Sequence, residues 1–182
     1  MTIRWTVVAT SLGPMLVAAT DKGLCRISFG EDAATLAARF PGAEVIEDGA
    51  ALAELAKQVV AQVENPERDL GLPLDVRGTA FQQAVWAALR AIPPGETRSY
   101  AQLAAAAGNP LAVRAAGTAC GANPLAVVVP CHRVRRTDGS LGGYAYGLER
   151  KRALLVRERQ QQEELPGIAR QSGSPSTLIR SP

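Results

Sequence analysis

Leu125-Ala126-Val127-Val128-Val129-Pro130-Cys131-His132-Arg133-Val134 is the stretch on which the reading of this chain turns. Its first five residues make a short, largely β-branched apolar run, which predicts a buried strand. Pro130 stops the run, and a thiol follows directly beside His132, the only histidine among 182 residues. A reactive thiol needs a neighbouring base and a rigid support, and this stretch offers both. A Cys-His pair taken alone reads more readily as a small buried hydrophobe next to a loop histidine satisfied by backbone. The flanking sequence has to decide.

Upstream, Ser99-Tyr100-Ala101-Gln102 has the form of a capping box and opens a short helix to about Ala107. Gly108 ends it, and Asn109-Pro110 cap and start a second helix that runs to about Gly121. Two short helices across a tight glycine-containing turn predict a helix-turn-helix, a pattern that core helical hairpins share. In the second helix Ala115, Ala116, Gly117, Thr118 and Ala119 form a face nearly bare of side chains, with Arg114 beside it. Such a face permits close approach to a core neighbour, the commoner case, or to a nucleic-acid groove. Further upstream, Thr79-Ala80-Phe81-Gln82 is another capping box, followed at helical spacing by Val85, Trp86, Leu89 and Ile92 and broken at Pro93-Pro94-Gly95.

Downstream, a last helix is predicted from about Leu148 to Arg159, with Glu158 near its end. Residues 161–182 are rich in Gln, Ser, Pro and Gly and predict a disordered tail.

The N-terminal part has a different character. Trp5 to Thr10, Met15 to Thr20 and Leu24 to Phe29 read as strands of an antiparallel meander separated by turn-like segments. A helix from Glu31-Asp32 to about Arg39 follows, then another from about Ala50 to Val63 with Leu52, Leu55, Val59 and Val63 on one face. Cys25 falls mid-strand and reads as packing. The expected organisation is α+β: a small scaffold domain over 1–74, a helical catalytic domain over 75–160, and the tail.

Composition narrows the classes. With 47% hydrophobic and 20% charged residues the chain can bury a core. Three cysteines make no disulfide framework, and their odd number favours a reducing compartment, so cytoplasm is expected. No C-x-x-C pair exists, and adjacent Cys131 and His132 poorly suit one tetrahedral ion, so no metal is expected. No G-x-G-x-x-G or P-loop suggests a cofactor. Nothing approaches the roughly 20 apolar residues of a membrane span. Charge is divided unevenly, with six basic residues against ten acidic through Leu74 and fourteen against seven beyond it. That division suits a polyanion partner for the second part, or simply a solvated basic surface.

The combination of Ala119-Cys120-Gly121-Ala122-Asn123-Pro124, Pro130-Cys131-His132-Arg133-Val134, Asp138-Gly139-Ser140-Leu141-Gly142-Gly143-Tyr144 and Arg150-Lys151-Arg152-Ala153-Leu154-Leu155 closely resembles the O6-alkylguanine-DNA alkyltransferases. These methylated-DNA-protein-cysteine methyltransferases are matched from about Ser11 to Glu158, most of all in the C-terminal half of the Ada type. The resemblance implies a ribonuclease H-like N-terminal domain, a winged-helix-like helix-turn-helix, and single-use transfer of an alkyl group from O6 of guanine in double-stranded DNA to Cys131. O4-alkylthymine is a second candidate substrate.

By the same resemblance, His132 takes the thiol proton through a water, Glu158 holds His132, and Tyr100 hydrogen-bonds the base at N3. The main chain of Ala145 faces O6, the carbonyls of Cys131 and Val134 face the exocyclic amine, and Tyr144 lines the pocket. Ala126 and Tyr146 stand where some relatives have proline and glycine, so Tyr146 is expected to crowd the alkyl group. Arg114 fills the stack left by the flipped nucleotide, Ala115, Ala116 and Gly117 enter the minor groove, and Asn123 joins that helix to the cysteine loop. The protein is expected to act as a monomer. The N-terminal zinc domain of full Ada proteins and the histidines of zinc-binding relatives are not found in this sequence. The competing reading is a helix-turn-helix protein that binds DNA or marks damage without reacting, a class whose relatives lack the cysteine present here.

Overall fold

The structure, a computed structural model, describes residues 1–67 and 70–164. Strands β1 (Thr2–Val8), β2 (Met15–Ala19) and β3 (Leu24–Phe29) form the meander, and a fourth strand, β4 (Glu44–Glu47), pairs parallel to β1. The sheet order is β3-β2-β1-β4. β4 is not among the strands expected from sequence, and β1 lies earlier than Trp5–Thr10: Val8 is its last residue, and Thr10 and Gly13 exchange backbone hydrogen bonds in the turn that follows.

Helix α1 (Ala33–Arg39) is capped by the Asp32 carboxylate, which accepts from the Thr35 N–H. Helix α2 (Ala53–Glu64) begins later than expected and buries Ala56, Val59 and Val63. Gly23, at φ +154°, lets the connection after α2 pass close: a Cβ there would lie 2.6 Å from the Pro73 carbonyl. Leu24 N–H donates to that same carbonyl at 2.9 Å.

In the second part, α3 (Ala80–Arg90) and α4 (Tyr100–Ala106) both carry the expected reciprocal capping boxes, Thr79 with Gln82 and Ser99 with Gln102. Helix α5 (Val113–Gly121) starts later than Asn109-Pro110 implied. The Asn109 carbonyl oxygens are used inside the turn: Oδ1 accepts from the Leu111 N–H and the main-chain oxygen from the Ala112 N–H. Two very short strands, β5 (Arg98–Ser99) and β6 (Val134–Arg135), pair in parallel, and α6 (Leu148–Glu164) closes the fold. Helix α6 thus enters the segment expected to be a tail; 165–182 lie outside the described residues.

The expected strand at Leu125–Val129 does not form. Leu125 makes one bridge to Ile27, and the chain then turns, with Val127 at φ +68°. A β-branched residue in that region is strained, and it breaks any extended run. All five residues are nevertheless buried. The apolar pattern therefore reported burial and not backbone shape.

One hydrophobic core joins Met15, Val17 and Ile27 of the sheet, Val59 and Val63 of α2, and Val85, Leu89 and Leu103 of the later helices. Each fully buried aliphatic side chain contributes about 1.5–3 kcal/mol. Helix α6 ties the halves further: Arg157 donates to the Val63 carbonyl at 2.8 Å, and Arg150 donates to that of Leu12 at 2.9 Å while lying 4.8 Å over the Phe29 ring.

Candidate active site

The turn that replaces the strand aims the thiol. Asn123, at the end of α5, fixes that turn from inside: its Oδ1 accepts from Leu125 N–H at 2.9 Å, and its Nδ2 donates to the Val129 carbonyl at 2.8 Å. The same Nδ2 lies 3.2 Å from Cys131 Sγ. Cys131, His132 and Arg133 then form one 3-10 turn leading into β6. Burial pushes the Cys131 thiol above its ordinary range, against the smaller opposing effects of the Asn123 amide and the Lys151 charge. The resting group is a thiol.

His132 is completely buried, with Nε2 2.7 Å from Glu158 Oε1. Nδ1 has no hydrogen-bond partner among the described protein groups. Burial holds the imidazole below its usual value despite Glu158, so it is neutral near pH 7. Nε2 therefore carries the proton it donates to Glu158, and Nδ1 carries a lone pair.

Arg133 completes the cluster. Its Nε lies 3.1 Å from both Glu158 oxygens, Nη2 2.8 Å from Oε1, and Nη1 donates to the Ile92 carbonyl at 2.7 Å. Burial would raise the Glu158 carboxyl, but the bonds and charges of His132 and Arg133 outweigh it and hold the group down to about 2. In acid, where the imidazole is protonated, both cations hold Glu158 ionised; near pH 7, with the imidazole neutral, Arg133 is the cation that does so.

Above the thiol lies a cavity of about 300 Å³, walled by Tyr100, Gly117, Cys120, Cys131, Tyr144 and Ala145. Tyr100 is wedged between glycines: a Cβ at Gly142, which sits at φ +69°, would come 3.2 Å from its hydroxyl. Tyr144 Oη is buried without a protein partner. Tyr146 does not line this cavity; it stands edge-on to Tyr144 and to Phe29, with ring centroids 5.6 Å apart in both pairs. Lys151, wholly buried, donates to the carbonyls of Val134 (2.7 Å), Leu141 and Gly143 (3.2 Å), pinning the loop that carries Tyr144 and Ala145.

Of the residues singled out in the sequence, Cys131, Tyr100, Gly117, Tyr144 and Ala145 meet at this cavity, with His132 and Glu158 directly behind. Arg114 and Ala115 are exposed on α5, while Ala116 is fully buried and faces the core. Ala126 and Val134 are not brought to the cavity wall. Ala126 is buried in the turn with its N–H donated to Ile27, and the Val134 carbonyl is engaged by Lys151. Arg133 and Lys151 were missed as individual residues. In sequence the charge on either side of α5 is uneven: no carboxylate occurs between Glu96 and Asp138, whereas Arg98, Arg114, Arg135 and Arg136 do, besides the buried Arg133 that Glu158 neutralises.

A thiol, a neutral imidazole and an orienting carboxylate lie together beneath a cavity, beside a helix-turn-helix that carries Arg114 and no carboxylate, which is the arrangement of a nucleophile with its base and orienter. Comparison with known families gives the same class. Residues 3–76 match the ribonuclease-like domain, and residues 80–160 the DNA binding domain, of 6-O-methylguanine DNA methyltransferase. The chain belongs to that family. It is 47% identical over 167 residues to the bifunctional transcriptional activator/DNA repair enzyme Ada of Escherichia coli, covering 90% of this chain and 47% of that protein. It thus spans about half the length of that relative. It is 40% identical to a methylated-DNA-protein-cysteine methyltransferase of Methanosarcina barkeri, over 84% of this chain and 94% of that protein. The crystal structure of Mycobacterium tuberculosis OGT in complex with DNA superposes with a TM-score of 0.73 at 37% identity, over 88% of this chain and 94% of that one. No helix among the described residues is long and apolar enough to cross a membrane.

Proposed function

We propose that this protein repairs DNA by transferring an alkyl group from O6 of guanine to Cys131, once per molecule. The observation that carries the reading is the placement of Cys131 Sγ on the wall of a base-sized cavity, with the neutral His132 beside it and Glu158 fixing the imidazole. A buried thiol cannot ionise on its own at neutral pH, so a base must take its proton as the alkyl carbon is attacked. Nδ1 of His132 serves as that base through one water.

The leaving guanine would otherwise depart as an anion. Tyr100 donates to N3, the Ala145 main-chain N–H faces O6, the Cys131 carbonyl meets the exocyclic amine, and Tyr144 packs on the ring. The target base must leave the helix, at a cost of a few kcal/mol, least for a weakly paired damaged base. Arg114 takes its place in the stack, while Ala115, Gly117 and the small face of α5 approach the minor groove. The protein acts as a monomer in the cytoplasm, where its three unpaired thiols stay reduced.

The product is a thioether, which thiol exchange cannot reverse. With O6-methylguanine duplex in excess, transfer should plateau at one methyl group per protein, located by mass analysis on the Cys131 peptide. Cys131→Ser should bind the duplex and transfer nothing. Continued turnover beyond one equivalent would overturn the reading.

A further inference from the structure

A second cavity, of about 270 Å³, adjoins the first, and Gly121 and Ala145 line both. Asn123, whose amide lies 3.2 Å from Cys131 Sγ, also lines the second. One wall is aromatic, with Tyr146 braced against Phe29. The other comes from β3 and α1 and is charged. Glu31 accepts from Arg26, through Nε at 3.0 Å and Nη2, and from Arg39, through Nε at 3.0 Å and Nη2 at 2.7 Å.

Two guanidiniums here share one carboxylate, which leaves an excess positive charge on the wall. Arg26 is only 6% exposed, so water screens that charge weakly, while the Arg39 side chain is 47% exposed. A neutral alkyl chain entering this space would offer the charge nothing. A carboxylate would offer charge-assisted hydrogen bonds.

We propose that the second cavity extends the alkyl subsite and receives the anionic end of an O6-carboxyalkyl substituent, with Arg26 and Arg39 as its charge partners. The proposal rests on the reading of the first cavity as the base pocket. In the transfer, Cys131 Sγ bonds to the substituent's first carbon as the bond from that carbon to O6 breaks. The bonding pair stays with guanine, the thiol proton ends on the base, and the carboxylate remains on the thioether unchanged. The arginines bind; they take no part in the bond exchange. On this account the N-terminal domain contributes to substrate choice as well as support.

The test compares single-turnover rates on duplexes carrying O6-methyl-, O6-(2-hydroxyethyl)- or O6-carboxymethylguanine, the last two being similar in length, one neutral and the other anionic. Arg39→Gln should lower the carboxymethyl-to-hydroxyethyl rate ratio by about fivefold, and Arg39→Lys should restore part of it. Glu31→Gln, which removes the shared carboxylate, should move the ratio the other way. An unchanged ratio in Arg39→Gln overturns the proposal, and equal slowing on all three lesions would place Arg39 on a backbone phosphate instead. Methyl transfer to Cys131 by the unmodified protein is read in the same experiment: if that fails, the base-pocket reading falls first and the proposal with it.

Discussion

Arg133 grips the Glu158 carboxylate through Nε and Nη2 within an interior where Glu158 is fully buried and the Arg133 side chain is 8% exposed. Removing one partner of such a pair strands the other charge, at a cost of about 3–5 kcal/mol. Arg133→Met should lower the unfolding free energy by that order in urea titration. Arg133→Lys, which keeps the charge but loses the fork, should fall between. A Met variant as stable as the parent would mean that Glu158 is neutral in the folded protein.

The same pair makes an acid-stability prediction. The folded Glu158 carboxyl lies at about 2 against an ordinary 4.5, so between those values the unfolded chain binds the extra proton. Stability from this group is fully present above about pH 4.5 and is lost as pH falls toward 2. Glu158→Gln should remove that part of the pH dependence. Urea midpoints measured across the window for both proteins check it.

The rate should respond to pH differently from the stability. His132 accepts a proton only when neutral, and its folded value lies below the ordinary 6.5, while the thiol lies above its own ordinary range. Single-turnover transfer should therefore hold nearly level from pH 6.5 to the mildly alkaline range and decline only in acid. A rate climbing about tenfold per pH unit through neutrality would mean attack by a freely ionised thiolate, without help from His132.

Arg114 separates duplex chemistry from base chemistry. It is exposed on α5, away from the cavity wall. Arg114→Ala should slow repair of duplex DNA strongly and leave reaction with free O6-methylguanine nearly unchanged, because only the duplex requires base extrusion. Parallel single-turnover assays decide it, and equal loss on both substrates would make the residue structural.

Local rules made much of this molecule legible. The capping boxes at Thr79 and Ser99 are satisfied by residues three apart, so sequence alone specifies them. Tertiary pairing is what escaped. β4 is only four residues long and is defined by its parallel register with β1, to which no local pattern points. The turn at Val127 violates the preference of its own residue and exists because Asn123 and the surrounding core hold it. At the site, the thiol, imidazole and carboxylate could be matched by motif. Arg133 and Lys151 could not be separated from ordinary surface cations, although one signal was there. Lys151 and Glu158 lie seven apart on α6 with Leu154 and Leu155 between them, which places both charges on the apolar, buried face.

Lys151 is the sharper of these two misses, because its single ammonium holds three carbonyls of the substrate loop and the strand beneath it. Burial lowers its pKa, the first cost of placing it there, and the Cys131 sulfur acts in the opposite direction only once it is ionised. In Lys151→Met the side chain keeps its apolar bulk, but the carbonyls of Val134, Leu141 and Gly143 lose their donor, a loss of about 1–3 kcal/mol. The loop carrying Tyr144 and Ala145 should loosen, and the Cys131 thiol should ionise less readily. Transfer from O6-methylguanine duplex should fall at least about tenfold, since a misplaced positioning group costs that much or more. Affinity for undamaged duplex should stay the same, because the exposed face of α5 is untouched. Hydrogen exchange should quicken over 141–145 and remain unaltered in α5. A variant that transfers methyl groups at the parental rate would show that the loop keeps its shape without the lysine.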